Sequence, residues 1–286
     1  MVSFSTVAII SSKNTKKTLE VADQCAEILL NKKIKVLVSQ NLRAVKDVHT
    51  KVLISSKNRI SKEANLLICI GGDGTMLSSA REYHKANIPL LGINLGKVGF
   101  LTDVSTRTMA KDLNDILKGD FFEDERFFLH ASINRKKYIA LNEIVIHSGA
   151  IAQMIEYEVF IDNKFVYSQK SDGIILNSPT GSTAYSLSGG GPIIYPNLKC
   201  ITLLPMFSQS LSTSPLVVDE NSSISVLIKG TRNKAILNMD SHDSVILKSG
   251  DKVKITKTDY VTTLIHPLDH DFYSACRNKL GWSTYQ

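Results

Sequence analysis

Residues 66 to 77 read Leu-Leu-Ile-Cys-Ile-Gly-Gly-Asp-Gly-Thr-Met-Leu, and this stretch decides the fold. Five apolar residues with no polar alternate fit a strand covered on both faces, as in a parallel sheet. The run ends in Gly71-Gly72-Asp73-Gly74-Thr75, after which Met76, Leu77, Ala80, Tyr83 and His84 recur at helical spacing. Strand, glycine loop and helix form one unit. The glycines let backbone N–H groups approach phosphate oxygens with no Cβ in the way, at the end of a helix that attracts negative charge. An aspartate inside an anion site is unfavourable unless it takes up a proton, accepts a bond from a hydroxyl or meets a metal. Phosphoryl transfer to an alcohol calls for such a group. The plainer alternative is a turn in which Asp73 only caps the helix.

Working outward, Thr6 to Ile10 reads as a strand, and Lys17 to Leu30 places Val21, Ala22, Cys25, Ile28 and Leu29 on one helical face. Ile34 to Val38 and Ile88 to Ile93 read as further strands. Ser105 or Thr106 is positioned to cap a helix that carries Met109, Leu113, Ile116 and Leu117 and stops at Gly119. This alternation predicts an open α/β, Rossmann-like domain over residues 1–125, with ligands at the carboxyl ends of its strands. From about residue 126 the period falls to two. Ile155, Tyr157, Val159 and Ile161 alternate with Glu156, Glu158, Phe160 and Asp162, and Asp162-Asn163-Lys164 offers a hairpin turn. Ile224, Val226 and Ile228 repeat the pattern, as do Val253 and Ile255. A β-sandwich domain is expected over 126–268, interrupted by a loop or short helix at Thr180 to Ser188, with a 269–286 tail returning to the first domain.

Hydrophobic residues make up 43% of the chain and charged residues 21%, the profile of a globular protein rather than a disordered or fibrous one. The net charge of +7 is spread over short groups such as Lys16-Lys17, Lys32-Lys33 and Arg135-Lys136-Lys137, without interleaved aromatics. That argues for a solvated surface that attracts anionic nucleotides, and against a nucleic-acid partner. No window reaches the roughly 20 apolar residues of a membrane span, and the apolar run near the N-terminus is too short for a signal peptide, so a cytoplasmic protein with no membrane partner is expected. Cys25, Cys69, Cys200 and Cys276 are too far apart in sequence for a CxxC pair or a zinc cluster, and read as reduced, mostly buried thiols.

Two more segments carry chemistry. Asn142-Glu143 opens the strand Ile144-Val145-Ile146, and an amide beside a carboxylate can grip a ribose hydroxyl and an adenine amino group together. Ser171-Asp172-Gly173 leads into Ser178-Pro179-Thr180-Gly181-Ser182-Thr183-Ala184-Tyr185-Ser186, a run of hydroxyls beside small residues with one aromatic ring to pack on a base. The chain has no GxxxxGK[ST] loop, no HRD loop and no GxGxxG fingerprint, which removes the commoner phosphate-binding classes.

Taken together, these segments resemble the NAD kinase family, close to the enzymes of Gram-negative-type bacteria. The likeness runs through GGDGTML, GINLGKVGFLTD, NEIVIHSG, SDGIILNSPTGSTAYSLSGGGPII, LLPMFSQSLSTSPLVV and the terminal IHPLD and KLGWS. GGDG alone is shared with the related diacylglycerol, sphingosine and phosphofructokinase families. The resemblance implies an α/β domain followed by a β-sandwich, assembled as a homodimer or homotetramer. It implies transfer of the terminal phosphate of ATP, or of polyphosphate in some members, to the 2′-hydroxyl of the adenosine ribose of NAD, giving NADP. It further implies that Asp73 is the proton acceptor, that Gly71, Gly72, Gly74 and Thr75 form the phosphate loop, and that Mg²⁺ or Mn²⁺ accompanies ATP without an all-protein metal site. By the same likeness, Asp73, Gly74, Asn142, Glu143, Lys170, Asp172 and the run Thr183, Ala184, Tyr185, Ser186, Leu187 and Ser188 lie on NAD-binding positions, with His242 at a further one.

Several positions depart from the family's bacterial pattern: Gln153 replaces His, Lys170 replaces Arg, His242 replaces Gln, and Ser208-Gln209 and Ser214 replace a Pro-His pair and an Arg. Lys170 keeps the charge without the flat bidentate fork. None touches the Asp73 loop, so they bear on affinity, NADH acceptance and feedback rather than on the reaction. Two alternatives stay open. A lipid kinase would share GGDGT but lack the paired NE and TGSTAY segments, and a non-catalytic NADP-binding sensor would have no need of an intact Asp73.

Overall fold

The computed structural model describes residues 4–96, 99–149, 153–210, 213–230 and 234–282. Lys97 and Val98 of the GINLGKVGFLTD stretch, Leu211 and Ser212 of LLPMFSQSLSTSPLVV, and Ser283 of KLGWS lie outside the described residues. The chain divides into two compact units, one made of residues 1–125 and 262–286 and the other of 126–261. The return to the first unit thus begins at Thr262, before the tail expected from Asp269.

In chain order the first unit holds β1 (Thr6–Ile10), α1 (Lys16–Asn31), β2 (Lys35–Val38), α2 (Val45–Val48), β3 (Leu53–Ile54), α3 (Lys57–Glu63), β4 (Leu66–Ile70), α4 (Asp73–Tyr83), β5 (Leu90–Asn94), β6 (Val104–Ser105) and α5 (Met109–Lys118). The strand β7 (Phe121–Ile133) leads into the second unit, which continues with β8 (Lys136–Ala140), β9 (Glu143–His147), β10 (Ile155–Ile161), β11 (Lys164–Ser171), β12 (Gly173–Asn177), α6 (Tyr185–Ser188), β13 (Cys200–Met206), β14 (Leu216–Asp219), β15 (Ile224–Lys229), β16 (Ala235–Met239) and β17 (Asp243–Leu247). The long strand β18 (Lys252–Pro267) carries the chain back, and α7 (Phe272–Leu280) closes it.

Strands of the first unit run parallel in the order β3-β2-β1-β4-β5, with the end of β18 and the short β6 also paired to β5. Every residue of β4 is buried, as its unbroken apolar run requires. Strand order reverses between β1 and β4, and at such a switch point the carboxyl ends of the strands open a crevice for ligands. The helix after β6 is capped differently from the expectation. Ser105 belongs to a strand and accepts from Thr108 N, so Thr108 takes the N-cap position, while Gly119 ends the helix at φ 104 as anticipated.

The second unit packs the antiparallel sheet β14-β13-β12-β9-β16-β17 against a layer containing β11-β10-β15 and the start of β18. Ile155, Tyr157, Val159, Ile224, Val226, Ile228, Val253 and Ile255 point into a core shared with Ile144, Ile146, Ile174 and Leu176 of the facing sheet. This is the sandwich that period two predicts. Asp162 and Asn163 take φ of 50° and 64°, the left-handed pair of a two-residue hairpin. Cys25, Cys69 and Cys276 are buried and Cys200 half-buried, all free thiols. Among the described residues no helix is long and apolar enough to cross a membrane.

Candidate active site

The glycine loop hangs from the carboxyl end of β4. Gly71 stands at φ 155°, and a Cβ there would overlap the Thr75 hydroxyl, so this position admits only glycine. Gly72 and Gly74 face open space, which leaves the loop backbone accessible to an anion. Thr75 Oγ1 meets Ser12 Oγ at 3.0 Å, joining the loop to the end of β1 across the switch point. A cavity of about 260 Å³ lies there, lined by Ser11 and Ser12 after β1, Ser39 and Asn41 after β2, and Ser55 and Lys57 near β3.

Asp73 does not cap its helix. Gly72 is the N-cap and no side chain bonds the helix start, so the plainer reading of this aspartate fails. The carboxylate instead accepts from Phe100 N at 2.9 Å, Leu101 N at 3.1 Å and the Thr102 hydroxyl at 3.1 Å, and pairs with Lys279 Nζ at 2.9 Å. A Cβ on Gly99 would collide with Asp73 Oδ1, so the chain must be glycine there for the carboxylate to lie so close.

The segment that holds Asp73 is itself held. Asp103 Oδ2 lies 2.9 Å from Nδ1 of both His266 and His270, whose rings stack at 4.2 Å, and Asp124 stands 3.6 Å from His266 Nε2. Asp103 and His266 lie in the GINLGKVGFLTD and IHPLD stretches, but nothing in those stretches pairs them; the return of β18 brings the group together. Burial raises the Asp103 carboxyl, but the bonds from His266 and His270 outweigh it and hold the group at about 2, below its ordinary 3.8. For His266 burial opposes the charge, yet Asp103 and Asp124 raise its pKa above 6.5. Stability from Asp103 is therefore present above pH 3.8 and lost as pH falls through about 2. Stability from His266 is present below pH 6.5 and lost as pH rises through its raised value. Replacing His266 by Asn should cost about 2 kcal/mol at pH 6 and less at pH 9. Urea unfolding at both pH values checks this, and an equal loss at each would refute it.

In the second unit the Asn142-Glu143 pair sits at the start of β9, where the carboxylate of Asp240 accepts from Leu141 N at 2.8 Å, Asn142 N at 2.9 Å and Glu143 N at 3.1 Å. Sequence reading missed Asp240, which looks like an ordinary hairpin-turn residue between β16 and β17. Asn142 Oδ1 and Glu143 Oε2 are buried without hydrogen-bond partners, as is Ser186 Oγ. Buried polar atoms are normally paired, and a ligand with matching donors and acceptors would satisfy these three. Burial first, and the Asp240 charge second, push the Glu143 carboxyl up to about 8.

The Thr180–Thr183 turn packs on this pair. A Cβ on Gly181 would overlap Asn142 O, and Ser178 N donates to the same oxygen at 2.9 Å. Thr183, Ala184 and Leu187 are half-buried, Tyr185 and Ser188 exposed, and Ser186 buried. Two predicted positions fall elsewhere. Asp172 and Lys170 lie at the opposite end of β12, because Asn177 pairs with Glu143 while Gly173 pairs with His147. Five strand residues span roughly 15 Å, so within one chain Asp172 does not share a hydrogen-bonded cluster with Asn142 and Glu143. Lys170 pairs with Glu156 at 3.6 Å. His242 is exposed in the turn that Asp240 begins, and Gln153 and Ser214 are also exposed.

Two family models match the chain in order, the ATP-NAD kinase N-terminal domain over residues 7–121 and the ATP-NAD kinase C-terminal domain over residues 141–267. The NAD kinase of Chromohalobacter salexigens is 40% identical over 288 residues, covering 98% of each chain, and that of Photobacterium profundum is 41% identical over 287 residues, again covering 98% of each. Among solved structures, yeast NADH kinase complexed with NADH superposes with a TM-score of 0.88 at 23% identity, covering 100% of this chain and 90% of the yeast one. The Archaeoglobus fulgidus NAD kinase in complex with ATP gives 0.75 at 24% identity, covering 96% and 97%. At those identities the structures establish the α/β and mostly-β folds. With both halves matched in order and relatives about two-fifths identical from end to end, the chain belongs to the NAD kinase family.

Proposed function

We propose that this chain transfers the terminal phosphoryl group of ATP to the 2′-hydroxyl of the adenosine ribose of NAD, giving NADP. The observation that carries the reading is the Asp73 carboxylate, set in a glycine loop and held by donors from residues 100–102 rather than spent on its own helix. Such a carboxylate is fit to take the hydroxyl proton as the new P–O bond forms and the bond to ADP breaks. The hydroxyl-lined cavity beside Thr75 suits the nucleotide donor. The unpaired Asn142 Oδ1, Glu143 Oε2 and Ser186 Oγ suit the acceptor dinucleotide, with Thr183, Ala184, Tyr185, Leu187 and Ser188 around them. The names of the relatives and the NADH and ATP bound in the two solved structures support the same pairing of substrates.

The divalent ion enters as part of the nucleotide substrate. Among the described residues only Asp103, His266 and His270 gather as potential ligands, and two imidazoles bonded to one carboxylate do not suit Mg²⁺, which prefers oxygen. Phosphate oxygens over the open Gly72-Asp73-Gly74 backbone suit it better. Lys170 and Asp172, a strand length from Asn142, fit a site that a second copy completes, and the edge strand β11 carries exposed Phe165 and Val166 that fit a subunit contact. A homodimer or homotetramer in the cytoplasm is the assembly that goes with this reading.

The test is a donor and acceptor panel with the purified chain. NADP should form from NAD with ATP and Mg²⁺, with polyphosphate and NADH as further arms. Phosphorylation of diacylglycerol instead, or tight NADP binding with no transfer from either donor, would overturn the proposal.

A further inference from the structure

The Asp73 carboxylate has both oxygens doubly occupied. Oδ2 takes Phe100 N and Lys279 Nζ, and Oδ1 takes Leu101 N and the Thr102 hydroxyl. An incoming hydroxyl that is to donate to this carboxylate must therefore displace one of them. Two are backbone groups, and Thr102 Oγ1 is fixed from its other side by Asn94 Nδ2 at 2.7 Å. Lys279 alone is on a long, flexible side chain, 27% exposed.

Its position is built rather than incidental. Phe272 and Lys279 are seven residues apart on α7, two turns along one face, and both meet the ring of Phe100. The Lys279 ammonium lies 4.6 Å from the Phe100 centroid and the Phe272 ring 6.2 Å from it. Cys276, between them on that face, is fully buried. The residue before the N-cap of α7 is His270, which holds Asp103, the neighbour of Thr102. The helix is thus fastened at both ends to the segment that grips Asp73. Beside Lys279 opens a cavity of about 540 Å³, lined by Arg107 and Lys111 and also by Asp103, Asp112, Asp269 and Asp271, which gives the side chain room to turn.

We infer that Lys279 is a second catalytic group of this site: it holds Asp73 until the acceptor hydroxyl takes its place on Oδ2, then neutralises the transferring phosphoryl group. The inference rests on the reading of Asp73 as the base. The hydroxyl proton passes to Asp73, the ribose oxygen bonds to phosphorus, the bond from that phosphorus to the ADP oxygen breaks, and Lys279 keeps all its protons. In a near-attack geometry the phosphorus is about 3–3.5 Å from the hydroxyl oxygen. That oxygen would itself lie within hydrogen-bond reach of Oδ2, so the displaced ammonium needs only a small swing to meet the phosphoryl oxygens.

The test uses the full chain with NAD and ATP–Mg²⁺. Lys279→Met should lower kcat by about 10- to 100-fold while KM for NAD stays within about twofold. Lys279→Arg should recover most of the loss, and millimolar ethylamine should raise turnover of Lys279→Ala without affecting the parent chain. Wild-type or higher kcat in Lys279→Met, an Arg variant as impaired as the Met variant, or no response to amine would overturn the inference. Asp73→Asn run alongside separates the two claims: if it is inactive while Lys279→Met is normal, only the lysine role falls, whereas if it remains active the base reading falls and the lysine role with it.

Discussion

Asp73→Asn is expected to lower turnover by about a thousandfold while NAD still binds. The size follows from what a positioned general base contributes, about 10²- to 10⁴-fold. The variant also has a structural cost. The carboxylate accepts four bonds, from Phe100 N, Leu101 N, the Thr102 hydroxyl and Lys279. An amide presents one acceptor oxygen and one donor nitrogen, so either rotamer sets an NH₂ group against N–H donors. A loss of about 1–3 kcal/mol should follow, and the thermal midpoint is measured beside activity so that unfolding is not mistaken for lost chemistry. Calorimetric titration with NAD should give an affinity close to that of the parent chain. NADP formation above a tenth of the parent rate would remove Asp73 from the role of base.

Asp240→Ala should have the second largest effect, on the acceptor side. Its carboxylate alone accepts from three consecutive backbone amides, those of Leu141, Asn142 and Glu143. Removing it leaves those donors unsatisfied beside two buried side chains, at a cost of about 3 kcal/mol or more. The pair then loses its fixed orientation, so KM for NAD should rise at least tenfold, with a smaller change in kcat. A pH signature goes with it. Burial, then the Asp240 charge, raises Glu143 to about 8, so its carboxyl is neutral and donating below that pH and ionised above it. For a ligand held by the neutral form, KM for NAD should climb as pH rises through about 8 in the parent chain. In Asp240→Ala the climb should begin at lower pH, because one cause of the raised value is gone. An unchanged KM and an unchanged pH profile would refute the assignment of Asp240 as the clamp on this pair.

What could be read in the sequence was local. The unbroken Leu66–Ile70 run announced a strand buried on both faces, the Ile155–Ile161 alternation announced one face of a sandwich, and Gly119 announced a helix end. The Gly71–Thr75 stretch was legible as a loop between a buried strand and a helix, as it is, with open space at Gly72 and Gly74. What stayed hidden depends on contacts between distant residues. Asp240 reads as a turn residue because nothing near it in sequence shows that three amides about a hundred positions earlier need its oxygens. Lys279 sits in a stretch with no strand period, and His266 and His270 matter only because β18 carries them to Asp103. The helix cap shows the same limit: Ser105 and Thr106 both read as caps, yet Thr108 stands at the N-cap, and the strand that claims Ser105 is a tertiary decision.

The pairing of Asp73 with Lys279 across 206 positions also sets an order of events during synthesis. The glycine loop leaves the ribosome early, yet the sheet that carries it lacks its β18 edge until Leu264 arrives to pair beside Leu90, and the lysine follows later still. A nascent chain therefore completes its sandwich unit while the unit that began first is unfinished. Contacts of such long sequence separation close slowly, and a half-built parallel sheet exposes apolar edges in the interval. Shortened products ending before Thr262 should thus be aggregation-prone as well as inactive, which makes the closing strand and helix a checkpoint on finished molecules.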